Sequence, residues 1–297
     1  MKRKIAMLIV GYEDYRTQAQ NLANALQVAY REIKQHTFPD GESLIQAPVE
    51  LPEHVVLTRS LNQPNDKLIE LLFSVSALRQ HGAKRVTLVA PYLCYMRQDT
   101  ENQPGEAVSQ RVIGQLLADH FDDVITVDPH LHRVQRLDQA IPIRNAQAVS
   151  ASAIIGRFIA SRYTSGILLG PDSESEQWVR EIATRIGFSY AVATKIRSGD
   201  QLVEVSIPQR DYTGQSIILI DDMISTGRTL AQASGKLLQA GAGQVDAIIT
   251  HPLFCSDAEQ CMRQSGVTHI WSTDSITHPT NAIALADLLA DAIKQIA

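Results

Sequence analysis

Short apolar, β-branched runs recur along the whole chain: Ile5–Val10, Val55–Arg59, Val86–Ala90, Val124–Val127, Ile167–Leu169, Tyr190–Ala193, Ile217–Ile220, Ala247–Thr250 and Thr268–Trp271. Between most of them, apolar residues repeat at i, i+3, i+4, i+7. Asp66–Gln80 supplies Leu68, Leu71, Leu72, Val75 and Leu78, and Val108–His120 supplies Val112, Ile113, Leu116 and Leu117. Glu176–Ile186 supplies Trp178, Val179, Ile182 and Ile186, and Leu230–Leu238 continues in the same way. Buried strands alternating with amphipathic helices predict an α/β fold on mainly parallel sheets. The strands fall into two sets, and Asp138–Ala148, which carries no strong period, is the candidate boundary. The pattern therefore predicts two α/β domains of similar size, 1–145 and 146–297, with no repeat visible between them.

Composition narrows the class. At 297 residues, 44% apolar and 20% charged, the chain can bury an ordinary core and is not a disordered polymer. Twenty-seven Lys and Arg stand against 32 Asp and Glu, for a formal charge of −5, with no basic block. Nothing in it suggests a nucleic-acid partner. No apolar run is long enough for a membrane span, and the N-terminal run Ile5–Val10 is too short for a signal-peptide core. Cys94, Cys255 and Cys261 are odd in number and lack C-x-x-C spacing, which argues against a disulfide framework or zinc site. A reducing cytoplasm is the expected location.

In open parallel sheets ligands bind beyond the carboxyl ends of the strands, and four strand ends here are chemically loaded. The strongest is Ile217-Ile218-Leu219-Ile220-Asp221-Asp222-Met223-Ile224-Ser225-Thr226-Gly227-Arg228-Thr229. An apolar strand is read as ending in two carboxylates, and a Ser/Thr/Gly turn leads into a helix near Thr229. Helix-start N–H groups with the hydroxyls of Ser225, Thr226 and Thr229 suit a phosphate monoester. Asp221 and Asp222 suit vicinal sugar hydroxyls. The others are Ala90-Pro91-Tyr92-Leu93-Cys94-Tyr95-Met96-Arg97-Gln98-Asp99, Val127-Asp128-Pro129-His130, and Gly170-Pro171-Asp172. Lys195 and Arg197, two residues apart after a further strand, would share one face of an extended segment. They could stabilise charge on a transferring phosphoryl group. Thr37-Phe38-Pro39-Asp40-Gly41-Glu42-Ser43 offers an aromatic face for a base and carboxylates for its amine or a sugar hydroxyl.

The Asp221–Thr229 stretch resembles the phosphoribosyl-pyrophosphate (PRPP) loop of type I phosphoribosyltransferases and of ribose-phosphate pyrophosphokinases (PRPP synthetases). The other segments resemble only the latter: F-P-D-G-E for F-x-D-G-E, P-Y-L-C-Y-M-R-Q-D for P-Y-x-x-Y-A-R-Q-D, V-D-P-H for V-D-L-H, G-P-D for S-P-D, and T-K-I-R for D-K-R-R. They stand in the family's order over nearly the whole chain. The resemblance implies two phosphoribosyltransferase-type, Rossmann-like domains and transfer of the ATP diphosphoryl group to ribose 5-phosphate. It implies ATP binding by Phe38, Asp40, Glu42, Arg97, Gln98 and Asp99, and Mg2+ near His130, Asp172 and Asp128. Lys195 and Arg197 become the catalytic pair. Asp221, Asp222, Ser225, Thr226, Gly227, Arg228 and Thr229 hold ribose 5-phosphate. It also implies a homo-oligomer, because the F-x-D-G-E segment serves a neighbour's ATP site.

Several positions depart from the pattern. The usually basic loop after Asp99 is Thr100-Glu101-Asn102-Gln103-Pro104-Gly105-Glu106, closer to the archaeal-type enzymes. Ser173-Glu174-Ser175 replaces a glycine pair, and Arg228 stands where synthetases usually have Gly. Arg228 and the altered glycines leave in view a bulkier ribose 5-phosphate derivative as acceptor; a non-catalytic regulatory homologue is the other alternative, against which stand the retained Lys195, Arg197, His130, Asp172 and Asp pair.

Overall fold

The computed structural model describes residues 7–198 and 202–297, without the side chains of 195–204. The chain divides into two compact units, numbered here along the chain. The first holds the parallel sheet β2-β1-β5-β6-β7-β8, formed by β1 (Met7–Gly11), β2 (Ala29–Glu32), β5 (His54–Thr58), β6 (Arg85–Val89), β7 (Asp123–Val127) and β8 (Asn145–Val149). An antiparallel ribbon, β3 (Lys34–Thr37) and β4 (Ser43–Gln46), is inserted after β2. Helices α1 (Arg16–Leu26), α2 (Pro64–Gln80), α3 (Ser109–His120) and α4 (Leu137–Ala140) complete the crossovers.

The second unit repeats that plan. Its parallel sheet runs β10-β9-β13-β14-β15-β16, formed by β9 (Ile167–Gly170), β10 (Ser189–Val192), β13 (Ser216–Ile224), β14 (Gln244–Pro252), β15 (Ile270–Thr273) and β16 (Asn281–Ile283). Again an antiparallel ribbon, β11 (Thr194–Ser198) and β12 (Leu202–Ser206), follows the second strand. Its helices are α5 (Ser152–Ala160), α6 (Glu176–Ile186), α7 (Arg228–Gln239) and α8 (Ala258–Gln264). The last helix, α9 (Ala286–Ile296), packs on α1 and belongs to the first unit, along with Ser275–Thr277.

Burial explains the strand sequences. The central strand β5 is buried at every position, as a parallel strand covered on both faces must be. The edge strand β2, Ala-Tyr-Arg-Glu, alternates exposed and half-buried positions. One core centres on Val10, Val55, Leu57, Leu71, Leu78 and Leu88, the other on Leu169, Leu219, Leu230, Ala247 and Ile249. In each sheet the chain reverses its direction of growth beside the first strand, between β1 and β5 and between β9 and β13. Such switch points open a crevice at the strands' carboxyl ends. Among the described residues no helix is long and apolar enough to cross a membrane, and the three cysteines are unpaired.

Candidate active site

In the second unit, β9 and β13 pair in register from Ile167 opposite Ile217 to Leu169 opposite Leu219. Gly170-Pro171-Asp172 and the Asp221-Asp222 pair therefore emerge at the same end of neighbouring strands, at the switch point. The structure corrects one detail of the sequence reading: β13 does not stop before the aspartates. It runs on to Ile224, with Asp221 opposite Ile249 and Met223 opposite His251. Alternation along a strand then sends the two carboxylates to opposite faces. Asp221 is half-buried and its Oδ1 accepts the Asp222 N–H at 3.0 Å, whereas Asp222 is buried.

The turn that follows is held from below. The Phe254 N–H donates to Ile224 O at 3.1 Å and the Cys255 N–H to Ser225 O at 2.8 Å. Gly227 is the N-cap of α7 with φ of 68°, and a Cβ there would stand 2.9 Å from the carbonyl oxygen of Ala258. Helix α7 begins at Arg228, with no side chain capping it. Its first-turn N–H groups lack intrahelical acceptors, a ready anion site. Thr226 and Arg228 are exposed there, while Ser225 and Thr229 are half-buried.

Asp172 shapes its own turn: Oδ1 accepts the N–H groups of Glu174 at 3.1 Å and Ser175 at 3.2 Å. Ser175 Oγ donates to Asp172 O at 2.6 Å, so the residue in place of a glycine closes the turn ahead of α6. The chain leaves the sheet after β10 with the Ala193 N–H bonded to Gly170 O at 2.8 Å, and β11 starts at the next residue. Lys195 and Arg197 occupy β11 opposite Val205 and Val203, and their side chains lie outside the described residues.

In the first unit, two loops meet beyond β6 and β7. Buried Asp99 accepts the Arg133 N–H at 2.9 Å and its guanidinium at 2.5 Å. Burial works to raise the Asp99 pKa, but the Arg133 contacts outweigh it and hold the carboxyl below its usual range. Gln98 also faces inward: its Oε1 accepts Ser109 Oγ at 2.7 Å. Arg97 alone of the three is exposed. Asp128, buried with φ of 34°, turns the chain sharply out of β7, and its N–H donates to Val149 O at 2.9 Å. Pro129 carries the next turn, accepting the Leu131 N–H at 2.8 Å, and the His130 and His132 rings meet edge to face. In the Thr100–Glu106 loop, both acids fold back: Glu106 accepts the Asn102 N–H and Glu101 the Gly105 N–H.

The remaining candidates sit at the tip of the β3–β4 ribbon. The Phe38 N–H donates to Glu42 O at 2.8 Å, Gly41 N–H to Phe38 O at 2.9 Å, and Glu42 N–H to Asp40 Oδ1 at 3.1 Å. Phe38 is 39% exposed and touches only the edge of His36 among aromatic rings of the described residues. The tip shares no hydrogen bond with the Arg97–Asp99 loop among the described residues.

Residues 7–120 match the N-terminal domain of ribose phosphate pyrophosphokinase, and residues 146–284 match the phosphoribosyl transferase domain. A ribose-phosphate pyrophosphokinase of Methanopyrus kandleri is 32% identical, covering 98% of this chain and 99% of its own. The chain belongs to the ribose-phosphate pyrophosphokinase family. Relatives of that name from Methanothermobacter thermautotrophicus and Sulfolobus acidocaldarius are each 30% identical, over 97% and 98% of this chain and 100% of their own. The fold agrees with the crystal structure of phosphoribosylpyrophosphate synthetase from Mycobacterium smegmatis, with a TM-score of 0.81, 24% identity and 98% coverage of both chains. Membership makes this chain a diphosphokinase enzyme. Arg133 supports the candidate site without belonging to a quoted motif; its only sequence signal is its nearness to His130.

Proposed function

We propose that the chain transfers the β,γ-diphosphoryl group of ATP to O1 of ribose 5-phosphate, giving PRPP and AMP. The observation that carries this reading is the Ser225–Thr229 turn: an uncapped helix start directly after a carboxylate-bearing strand, at a topological switch point. The turn's N–H groups and the hydroxyls of Ser225, Thr226 and Thr229 take the 5-phosphate, and exposed Arg228 adds positive charge. Asp221 and Asp222 accept from the ribose hydroxyls, Asp221 being the more accessible. O1 bonds to the β-phosphorus, the α,β-bridging P–O bond breaks, AMP departs with that oxygen, and the O1 proton passes to solvent. Lys195 and Arg197 act on the charge that builds on the transferring group.

Arg97 is the first unit's cation for the triphosphate, with Gln98 and Asp99 shaping its loop. Each unit offers carboxylate oxygens suited to Mg2+, Asp128 in the first and Asp172 in the second. The His130 imidazole suits that hard ion less well and would hold it directly or through water. When bound with ATP, Mg2+ supplies charge neutralisation on the phosphate oxygens. Phe38, Asp40 and Glu42 serve the nucleotide site of a neighbouring copy, which supports a homo-oligomer. The exposed tip, with no bond to its own chain's Arg97 loop, favours that sharing.

The test is positional labelling. ATP labelled at the β-phosphorus should give ribose-linked label retained in a diphosphate, with unlabelled AMP. Label recovered in inorganic phosphate or a sugar monophosphate would refute diphosphoryl transfer.

A further inference from the structure

Outside the residues assigned above, Glu70 on α2 is a buried and heavily committed polar group of the first unit. It is 2% exposed, and its carboxylate accepts from Arg59 Nη1 at 2.5 Å, from Ser43 Oγ at 3.0 Å and from Gln35 Nε2. Arg59, 3% exposed, lies 4.0 Å from the Tyr12 ring centroid and reaches Asp14 Oδ2 at 3.3 Å. The Tyr12 hydroxyl donates to the Glu70 carbonyl oxygen at 3.3 Å and lies 2.5 Å from Ser74 Oγ. Glu70 is thus fixed from beneath by the sheet and from its own helix.

Two of its three side-chain donors come from the ribbon: Gln35 from β3 and Ser43 from β4. Ser43 adjoins Glu42, so the link falls at the root of the Phe38–Glu42 tip. Every residue of β3 is exposed, and a two-stranded ribbon is marginal by itself. Ile33 and Ala47 bury the ends of the ribbon and Ile45 packs partly on the core, but nothing apolar holds β3 near the tip. A buried guanidinium–carboxylate pair adds little over an apolar pair of similar volume. Stability alone therefore does not account for it, whereas a fixed acceptor for two ribbon donors does.

We propose that Glu70, locked by Arg59, is a positioning residue for nucleotide binding. It fixes the tilt of the ribbon and so the place where Phe38, Asp40 and Glu42 are presented. The inference rests on the reading of that tip as part of a nucleotide site.

The test is the double variant Gln35→Leu/Ser43→Ala, which cuts both ribbon links and leaves the Arg59–Glu70 pair intact. It should lower the melting temperature by several degrees, since Glu70 Oε1 loses both its donors, yet keep kcat within about twofold and an unchanged KM for ribose 5-phosphate. KM for ATP should rise about tenfold, the scale of a binding group displaced rather than deleted. Amide exchange across residues 34–46, without nucleotide, should quicken. Arg59→Met/Glu70→Leu, which replaces the buried pair with an apolar one, should fold and show the same KM split. Unchanged exchange and unchanged KM in the first variant would overturn the proposal. So would faster exchange with an unchanged KM for ATP, provided Phe38→Ala raises that KM. If Phe38→Ala leaves KM for ATP unaltered, the nucleotide reading fails and the positioning role with it, whatever the exchange data show.

Discussion

Gly227→Ala separates the turn's conformation from the chemistry around it. At φ of 68° an L-residue pays about 1 kcal/mol for the left-handed region. The added Cβ would also lie 2.9 Å from Ala258 O and 3.2 Å from Met262 Cγ. The methionine can swing aside, but the carbonyl belongs to the first turn of α8 and cannot move alone. Overpacking of this kind costs about 1–3 kcal/mol, so the total comes to roughly 2–4 kcal/mol. For a unit of this size that corresponds to a fall in melting temperature of roughly 5–15 °C. Relief comes by tilting the turn away from α8, which misaligns the first N–H groups of α7. Loss of one hydrogen bond to a charged phosphate is worth about 1.5–3 kcal/mol, so KM for ribose 5-phosphate should rise about 10- to 150-fold. Gly235→Ala, in the interior of the same helix with nothing within 4 Å of the new Cβ, is the control. It should stabilise by about 0.5–1 kcal/mol and leave KM untouched. Thermal unfolding and steady-state kinetics, measured well below both transitions, decide the matter. A wild-type melting temperature for Gly227→Ala would refute the packing reasoning. A lowered one with unchanged KM would remove the turn from the phosphate site.

Mixing Phe38→Ala with Lys195→Ala subunits should restore ATP-dependent turnover through hybrid sites that carry an intact ribbon from one chain and Lys195 from the other. Activity equal to the average of the separate variants would refute the shared site. Arg133→Met should lower kcat/KM for ATP about tenfold, because Asp99 loses the guanidinium contact that helps fix the Arg97 loop and keeps only the backbone N–H at 133. The Asp99 pKa is depressed in the folded chain, so its link is fully present above the unfolded value near ~3.9 and is lost only as pH falls through the lower folded value. In Arg133→Met the carboxyl resonance of Asp99 should titrate at higher pH, and an unmoved titration would show that the guanidinium is not the cause. Arg228→Ala should raise KM for ribose 5-phosphate about 5- to 20-fold and leave that for ATP alone. An equal effect on both would assign Arg228 elsewhere.

Eight of the nine apolar runs mark interior parallel strands, which are covered on both faces and leave a plain signal, and the ninth marks the edge strand β10. The strands that escaped notice lie at edges or in ribbons. Asp138–Ala148 shows no strong period, yet its end enters the outer strand β8 (Asn145–Val149), half-exposed along most of its length. Its pairing with β7 carries the first unit to Ser150. Arg16–Leu26 has few large apolar residues, and only Ala19, Leu22 and Ala23 are buried, so α1 left little periodic trace. That α9 returns to the first unit cannot be read from chain order, since only its packing on α1, β7 and β8 reveals it. The duplicated strand order escaped too, because the two halves share topology with little recognisable sequence in common. The motifs single out Asp172, Asp221 and the turn as candidates because each is local in sequence. Arg133, which stands 34 residues from Asp99, and Glu70, which stands 35 from Gln35, act through distant partners that only folding brings together.

The central claim is tested most directly by AMP release from ATP and Mg2+, with and without ribose 5-phosphate, in the wild type and Lys195→Ala. The account predicts release that depends on ribose 5-phosphate, matches PRPP mole for mole, and falls by about two to three orders of magnitude in the variant. ATP binding without ribose-dependent AMP, or full activity in Lys195→Ala, would contradict it.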